Sequence, residues 1–341
     1  MNRRITTEHP LHDENGKLIE VGYATKPLLS YDRSRIRASK FRIKEWDYYF
    51  VGNRQKGLSF VVADNGYMGI GGVTVFDFEK RHKQDCQRFS ILPLGGLNLP
   101  PTSSSGRTLF NKGGMLIDME ASPEQKQITI DIDNFADGKP FHADLVLNEI
   151  PEETMVIVTP FEKKHAFYYN EKVNCMKASG GFTLGDESVD LTGNRAVLDW
   201  GRGVWTYDNT WYWSSLSVDL PDGSTFGFNL GYGFGDTSAA SENMVFYKGR
   251  AHKLGEVHFG IPAKNGRDDF MSAWNFTSND GRLALTFEPV FENRTDVNLL
   301  LIRHDAHQVF GQFTGRIVLD DEKTLNIEKA FGFAEKVRNR W

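Results

Sequence analysis

An all-β fold of two consecutive antiparallel barrels is what this sequence predicts, and three observations carry that expectation. Aromatics make up 13% of the 341 residues, with 25 Phe, and there are 33 Gly. Aromatic side chains suit a pleated, half-buried surface, and glycine marks turns and bulges. Short β-rich runs recur between turn signals along most of the chain, and the two halves echo one another at several points.

The length fits two ordinary domains or one large β domain. Hydrophobic residues are 40% and charged residues 25%, an ordinary globular balance. The net charge of −5 gives no pull toward nucleic acid or an anionic membrane. Two cysteines, Cys86 and Cys175, supply neither a disulfide framework nor a metal cluster. Met1 to Pro10 is polar and lacks the apolar core of a secretory signal. The longest aliphatic run, Leu299 to Ile302, is too short to span a bilayer. These features predict a cytoplasmic protein with reduced thiols and no transmembrane segment.

In chain order, residues 1–40 form an irregular N-terminal arm over a barrel, with a turn at Asp13-Glu14-Asn15-Gly16 and a basic stretch from Tyr31 to Arg37. Trp46 to Val51 is the first strand. Gly57 to Ala63 and Tyr67 to Phe78 flank Asp64-Asn65-Gly66, and Asn-Gly between β-rich runs is a hairpin signal. Leu94 to Gly106, rich in Gly, Pro and Ser, is a long loop placed to cover a barrel mouth. Strands follow at Gln127 to Ile132, His142 to Ile150 and Met155 to Phe161. Turns at Pro221-Asp222-Gly223, Tyr247-Lys248-Gly249 and Asn279-Asp280-Gly281 continue an up-and-down meander. Phe333 to Trp341 reads as a short C-terminal helix.

The repeat is specific in order. Trp46 and Tyr48 match Trp211 and Trp213. Gly57 and Phe60 match Gly223 and Phe226, and Gly66-Tyr67 matches Gly231-Tyr232. Val75-Phe76 with His82-Lys83 matches Val245-Phe246 with His252-Lys253. The offset grows from 165 to 170, which predicts about five extra residues in the second copy, between Tyr232 and Val245. Repeats this long indicate duplicated domains rather than solenoid units. The expected domains are 41–168 and 169–341.

Function is sought where the copies differ, since shared features are expected to be framework. Four of the seven Trp (Trp200, Trp205, Trp211, Trp213) fall within fourteen residues, interleaved with charged groups. Aromatic walls with a few polar groups are the usual lining of a small-molecule pocket. The competing reading is a Trp-rich barrel core, with Asp199 capping a turn and Gly201 and Gly203 shaping a bulge. On the functional reading, Asp199, Asp208, Tyr207 and Glu242 are the candidate catalytic groups, as acids or bases tuned by burial. Trp200, Arg202, Trp205, Trp213, Asn229 and Tyr247 are the candidate substrate-binding residues. Trp faces can stabilise a developing cation, and Arg202 can pair an anionic group. His82 and His252 occur in both copies and are expected to be structural. His304 and His307 fall on opposite faces of a strand, which disfavours a metal site. No phosphate-binding loop, nucleophile elbow or zinc-protease motif is present.

Several stretches, quoted as they stand, resemble the bacterial DUF2804 family. They are Gly22-Tyr-Ala-Thr-Lys-Pro-Leu-Leu29, Ile43-Lys-Glu-Trp-Asp-Tyr-Tyr49, Ala63-Asp-Asn-Gly-Tyr67, Asp199-Trp200 with Gly203-Val-Trp205, Glu242-Asn243, and Phe331-Gly-Phe-Ala-Glu335 with Asn339-Arg-Trp341. That family is similar, more distantly, to the AttH and carotenoid 1,2-hydratase type of protein. The resemblance implies two lipocalin-like (calycin-like) barrels. It also implies acid–base chemistry on apolar, isoprenoid- or lipid-like molecules, with no cofactor. The leading expectation is therefore a hydro-lyase, isomerase or cyclase acting on a small apolar ligand. The alternatives are a non-catalytic carrier of a hydrophobic ligand, whose carboxylates would not be buried, and a carbohydrate-binding or glycan-processing protein. A glycan-processing site would set two carboxyls roughly 5–9.5 Å apart across the pocket.

Overall fold

Alternation of buried and exposed side chains, as in Lys126–Ala136, is what commits most of this chain to strands with one wet face. The structure is a computed structural model that describes residues 3–299 and 302–340. Of the stretches named above, Met1, Asn2, Leu300, Leu301 and Trp341 lie outside the described residues.

Gly22–Ala24 and Glu187–Asp190 are short additions to the first sheet, and the other eleven of its thirteen strands form its frame. They are β1 (Ile43–Gly52), β2 (Lys56–Asp64), β3 (Met68–Asp77), β4 (His82–Ile91), β5 (Gly106–Lys112), β6 (Met115–Ala121), β7 (Lys126–Ala136), β8 (Lys139–Asn148), β9 (Met155–Pro160), β10 (Phe167–Leu184) and β11 (Arg195–Val204). Nine more build the second: β12 (Asp208–Asp219), β13 (Thr225–Tyr232), β14 (Met244–Tyr247), β15 (Arg250–Lys253), β16 (Val257–Gly260), β17 (Trp274–Ser278), β18 (Leu283–Leu299), β19 (Ile302–Val318) and β20 (Thr324–Arg340). The first runs β4-β3-β2-β1-β11-β10-β8-β7-β6-β5 and forms a nearly closed barrel, with β9 pairing β10 off this path. The second runs β15-β14-β13-β12-β20-β19-β18-β17-β16 and forms a half-barrel. The protein is all-β as expected, but the expected C-terminal helix is replaced by β20. Phe333 to Arg340 pairs with β12 on one side and β19 on the other, so its backbone groups are used by neighbours on both edges. Among the described residues no helix is long and apolar enough to cross a membrane.

Both sheets begin with a four-strand meander whose first strand is closed by that sheet's own last strand, β11 or β20. This common order is the structural counterpart of the repeat. Strand membership changes hands between Val204 and Asp208, so β10 and β11 pair within the first sheet.

The register also relocates the extra residues. Tyr48 pairs with Val61 and Trp213 with Gly231, an offset of 165 on the first strand and 170 on the second. The insertion therefore belongs to the β12–β13 hairpin around Pro221-Asp222-Gly223. The segment between Tyr232 and Met244 is not longer than its counterpart. It has left the ladder: Val61 pairs with Gly72 in the first copy, whereas in the second the ladder stops at Asn229–Met244.

The first barrel is filled by one cluster that includes Tyr49, Phe60, Phe110, Ile130, Leu145, Leu198 and Trp200. The half-barrel holds another around Phe228, Trp274, Phe287 and Phe313. Between the sheets lies a third layer of Phe50, Phe76, Phe78, Val197, Phe310 and Phe333. Strands β1 and β11 feed the barrel with one face and this layer with the other, which is why all ten residues of β11 are buried.

The N-terminal arm packs into the barrel mouth through Ile5, Leu11, Leu29 and Tyr31, and Gly22–Ala24 pairs with β9. The Leu94–Gly106 loop is irregular as expected up to the start of β5, and it is pinned there. Arg202 donates to Pro100 O at 2.8 Å and Lys126 to Ser103 O at 2.7 Å. Arg202 is fully buried and sits 3.0 Å from Asp47. It also donates to the carbonyls of Trp46 and Gly201. Removing one partner of such a pair strands the other charge. Arg202→Met is expected to cost roughly 3–5 kcal/mol, read by urea unfolding; a loss below about 1 kcal/mol would contradict this account.

Candidate functional site: an aromatic cavity between the sheets

Where the two sheets meet, beside the Phe layer, they enclose a cavity of about 340 Å³. Its walls come from matching strands of the repeat, with Trp46 and Tyr48 on β1 and Trp211 and Trp213 on β12, joined by Tyr168, Trp205 and Phe234. Trp46 stacks on Tyr168 at 6.1 Å and meets Trp205 edge-on at 5.1 Å. Phe234 presents its edge to Tyr168 and Trp205, each at 4.8 Å, and packs on Trp211 at 5.3 Å. Edge-to-face contacts of this kind fix ring orientation. Glycine makes the packing possible: a Cβ at Gly201 would lie 1.9 Å from the Trp46 indole.

One end of the cavity is polar. Lys172 on β10 places Nζ 2.6 Å from Asp199 Oδ2 and 3.8 Å from the centre of the Trp213 ring. Asn170 donates to the other Asp199 oxygen at 2.6 Å. Asn229 accepts from the Trp213 indole N–H at 2.7 Å and donates to Glu242, at 2.9 Å to its backbone oxygen and 3.2 Å to Oε2. Glu242 lies in the segment that leaves the ladder and folds over Gly231, where a Cβ would be 2.7 Å from its Oε1. By the offset of 170, it stands where the first copy has Gly72. Glu335 on β20 accepts from the Trp211 indole N–H at 3.0 Å.

Asp199, Glu242 and Glu335 are thus gathered around Lys172, all of them buried. Burial disfavours a carboxylate, and neighbouring negative charge disfavours it further. Burial pushes the Glu335 carboxyl up to about 7, with Asp199 and Glu242 adding to the rise and Trp211 and Lys172 opposing it. Burial likewise raises Glu242, against Lys172 and Asn229. The arrangement can hold a proton on a carboxyl at neutral pH inside an aromatic box, which is the requirement for a general acid.

Of the residues singled out by sequence, Asp199, Glu242, Trp205 and Trp213 line this cavity, and Asn229 supports two of them from behind. The others lie elsewhere. Trp200 and Arg202 point into the first barrel, because side chains alternate along β11 and Asp199 takes the opposite face. Tyr207 is half exposed in the link between the sheets. Asp208 is exposed and pairs with Arg338 at 3.1 Å and Arg340 at 2.9 Å. Tyr247 is buried in the half-barrel core and accepts from Lys323 at 2.8 Å.

Lys172, Glu335, Trp46 and Trp211 were not among the sequence candidates. Trp46 and Trp211 match between the copies and so read as framework, yet the faces that repeat are the faces that meet. Glu335 lay in the segment read as helix, where its facing could not be assigned. His304 lines the cavity, whereas His307 stacks on Phe270 at 4.0 Å in a separate groove.

The chain belongs to the family described as a domain of unknown function, DUF2804, whose profile matches residues 2–341. No curated protein matches the sequence. Among solved structures, a provisionally named AttH of Nitrosomonas europaea aligns at 14% identity and a TM-score of 0.45, covering 90% of this chain and 96% of its own. Kievitone hydratase of Nectria haematococca aligns at 10% identity and a TM-score of 0.46, covering 87% and 88%.

The raised Glu335 value predicts a stability signature. Between the unfolded value of 4.5 and the folded value of about 7, the folded state keeps a proton that the unfolded state has lost. Stability therefore falls as pH rises through that window. Glu335→Gln removes this dependence. Thermal unfolding is expected to show the variant gaining on the parent by up to roughly 3 kcal/mol from pH 5 to pH 8. A difference independent of pH would show that the carboxyl is not held protonated.

Proposed function

We propose that the protein is a cofactor-independent hydro-lyase, isomerase or cyclase acting on a small apolar molecule held between the sheets. The observation that carries this reading is the Glu335 carboxyl, held up at about 7 by burial within an aromatic cavity. In this scheme Glu335 donates its proton to a double bond or to a departing hydroxyl. Positive charge then develops on the substrate carbon. The faces of Trp46, Trp205 and Trp211 stabilise it, and the same rings limit the access of water. The oxygens of Asp199 and Glu242 line the same cavity as acceptors, with Lys172 fixing Asp199 in place. The product forms when the Glu335 carboxylate takes a proton back from a neighbouring carbon, from a water molecule that adds to the cation, or from an internal hydroxyl that closes a ring, which restores the acid. Trp200, Arg202, Tyr207, Asp208 and Tyr247 have no part in this chemistry.

Burial of the carboxyls favours the enzyme over a passive carrier. A carrier of an apolar molecule gains nothing from three buried carboxyls, each of which costs desolvation.

The test begins with native mass spectrometry of protein purified from cells, to identify a co-purifying apolar ligand. That ligand is then incubated with the protein in deuterated water. Catalysis predicts deuterium at carbon or gain or loss of water, slowed about 10²–10⁴-fold by Glu335→Gln. The rate is expected to fall as pH rises through about 7, since the acid form is required. A ligand returned unchanged by both proteins would establish a carrier instead.

A further inference from the structure

A second cavity, of about 530 Å³, opens at the mouth of the first barrel, where the N-terminal arm meets the loop before β5. It is separate from the cavity between the sheets. Trp200 lines it, while Asp199, its neighbour on β11, faces the other way. Leu29, Pro10, Pro101 and the rings of Tyr31 and Tyr169 supply apolar wall.

Two polar groups in this wall have unused capacity. Trp200 is 2% exposed, and its indole N–H has no acceptor among the described residues. The ring is held firmly, edge-on to Tyr169 at 5.3 Å and Tyr31 at 6.4 Å, with the Arg202 guanidinium 4.2 Å from the ring centre. A buried donor left unsatisfied is unfavourable, and a ligand acceptor would relieve it. Glu171, also 2% exposed, accepts from Thr154 at 2.8 Å and from Ser103. A carboxyl group has about four acceptor positions, so roughly two remain. Burial raises the Glu171 carboxyl above its ordinary value, against the hydroxyl bonds and Lys126.

The charge of the wall selects among ligands. Glu8, Glu171 and His9 line the cavity, His9 being engaged by the Pro10 carbonyl oxygen and the Glu20 carboxylate, and among the described residues neither Lys nor Arg does. Lys126, which acts on Glu171 from nearby, is engaged by the carbonyl oxygens of Ser103 and Ser122. An anion entering here would meet no Lys or Arg in the wall, and the Glu8 and Glu171 carboxyls would repel it whenever they are ionised. A hydroxyl group suits both open positions, since its oxygen accepts and its hydrogen donates.

We propose that the mouth of the first barrel is a second ligand site, which takes a neutral, hydroxyl-bearing small molecule through the Trp200 indole N–H and the Glu171 carboxyl. The arm and the loop form its rim, and its occupancy is independent of the chemistry between the sheets.

The test uses the full chain with ¹⁵N-labelled tryptophan, whose indole signals are read by NMR. The Trp200 signal is identified by its loss in Trp200→Phe. Benzyl alcohol is the probe and benzoate its charged counterpart. Benzyl alcohol is expected to shift the Trp200 signal saturably, with benzoate at least tenfold weaker. Glu171→Gln is expected to weaken the alcohol at least tenfold. Ser30→Trp, at an exposed rim position, is expected to abolish the shift, and it decides the matter if the Glu171 variant does not fold. No saturable Trp200 shift, a shift that survives Ser30→Trp, or equal binding of benzoate would each overturn the proposal.

Discussion

Three carboxyls share one ammonium in the cavity between the sheets, and much of the surrounding structure serves to bury that arrangement. Lys172 lies 2.6 Å from Asp199, with Glu242 and Glu335 buried nearby. Left in water, such a cluster would ionise fully and cost little. Enclosed by Trp and Tyr rings, it cannot, because each added negative charge raises the cost of the next. The carboxyl hydrogen-bonded to Trp211 therefore holds its proton up to about 7. The indole N–H groups of Trp211 and Trp213 and the amides of Asn170 and Asn229 orient the acids or their supports without adding charge.

The packing of the two sheets follows from the apolar surface that the first barrel turns outward. Strands β1 and β11 are buried on both faces, so the first barrel has an outer surface that must be covered. The half-barrel covers it, and the matching strands β1 and β12 both bring Trp or Tyr to the junction. A duplication thus gives two similar walls, and divergence fills the space between them. The second copy ends its ladder at Asn229–Met244, and the freed segment delivers Phe234 and Glu242. Gly201 and Gly231 leave the room that these rings and carboxyls occupy.

The alternation of side chains also divides labour within a single strand. Along β11, Leu198, Trp200 and Arg202 build the first barrel, while Val197 and Asp199 face the junction. Asp199 and Trp200 are adjacent in sequence and belong to different cavities. Asp208, although close in sequence, meets solvent and the guanidinium groups of Arg338 and Arg340.

By itself the sequence determined the all-β class, the hairpin at Asn65-Gly66, the covering loop from Leu94 to Gly106 and the repeat that sets both sheets. These depend on local propensity, turn chemistry and spacing, which are properties of neighbouring residues. It also marked Asp199, Glu242, Trp205 and Trp213, because acids among aromatics stand out in composition. The C-terminal segment was misread as helix because its strand character comes from β12 and β19 on either side, and tertiary pairing overrides a short local pattern. Tertiary structure alone decided that Lys172 and Glu335 join those acids, that Trp46 and Trp211 face one cavity, and that Trp200 faces another. Those facts depend on which strands pair, as β10 and β11 do at Lys172 and Asp199, and on which meet across the sheet junction, and residues so separated in the chain leave no mark of their meeting in its local order.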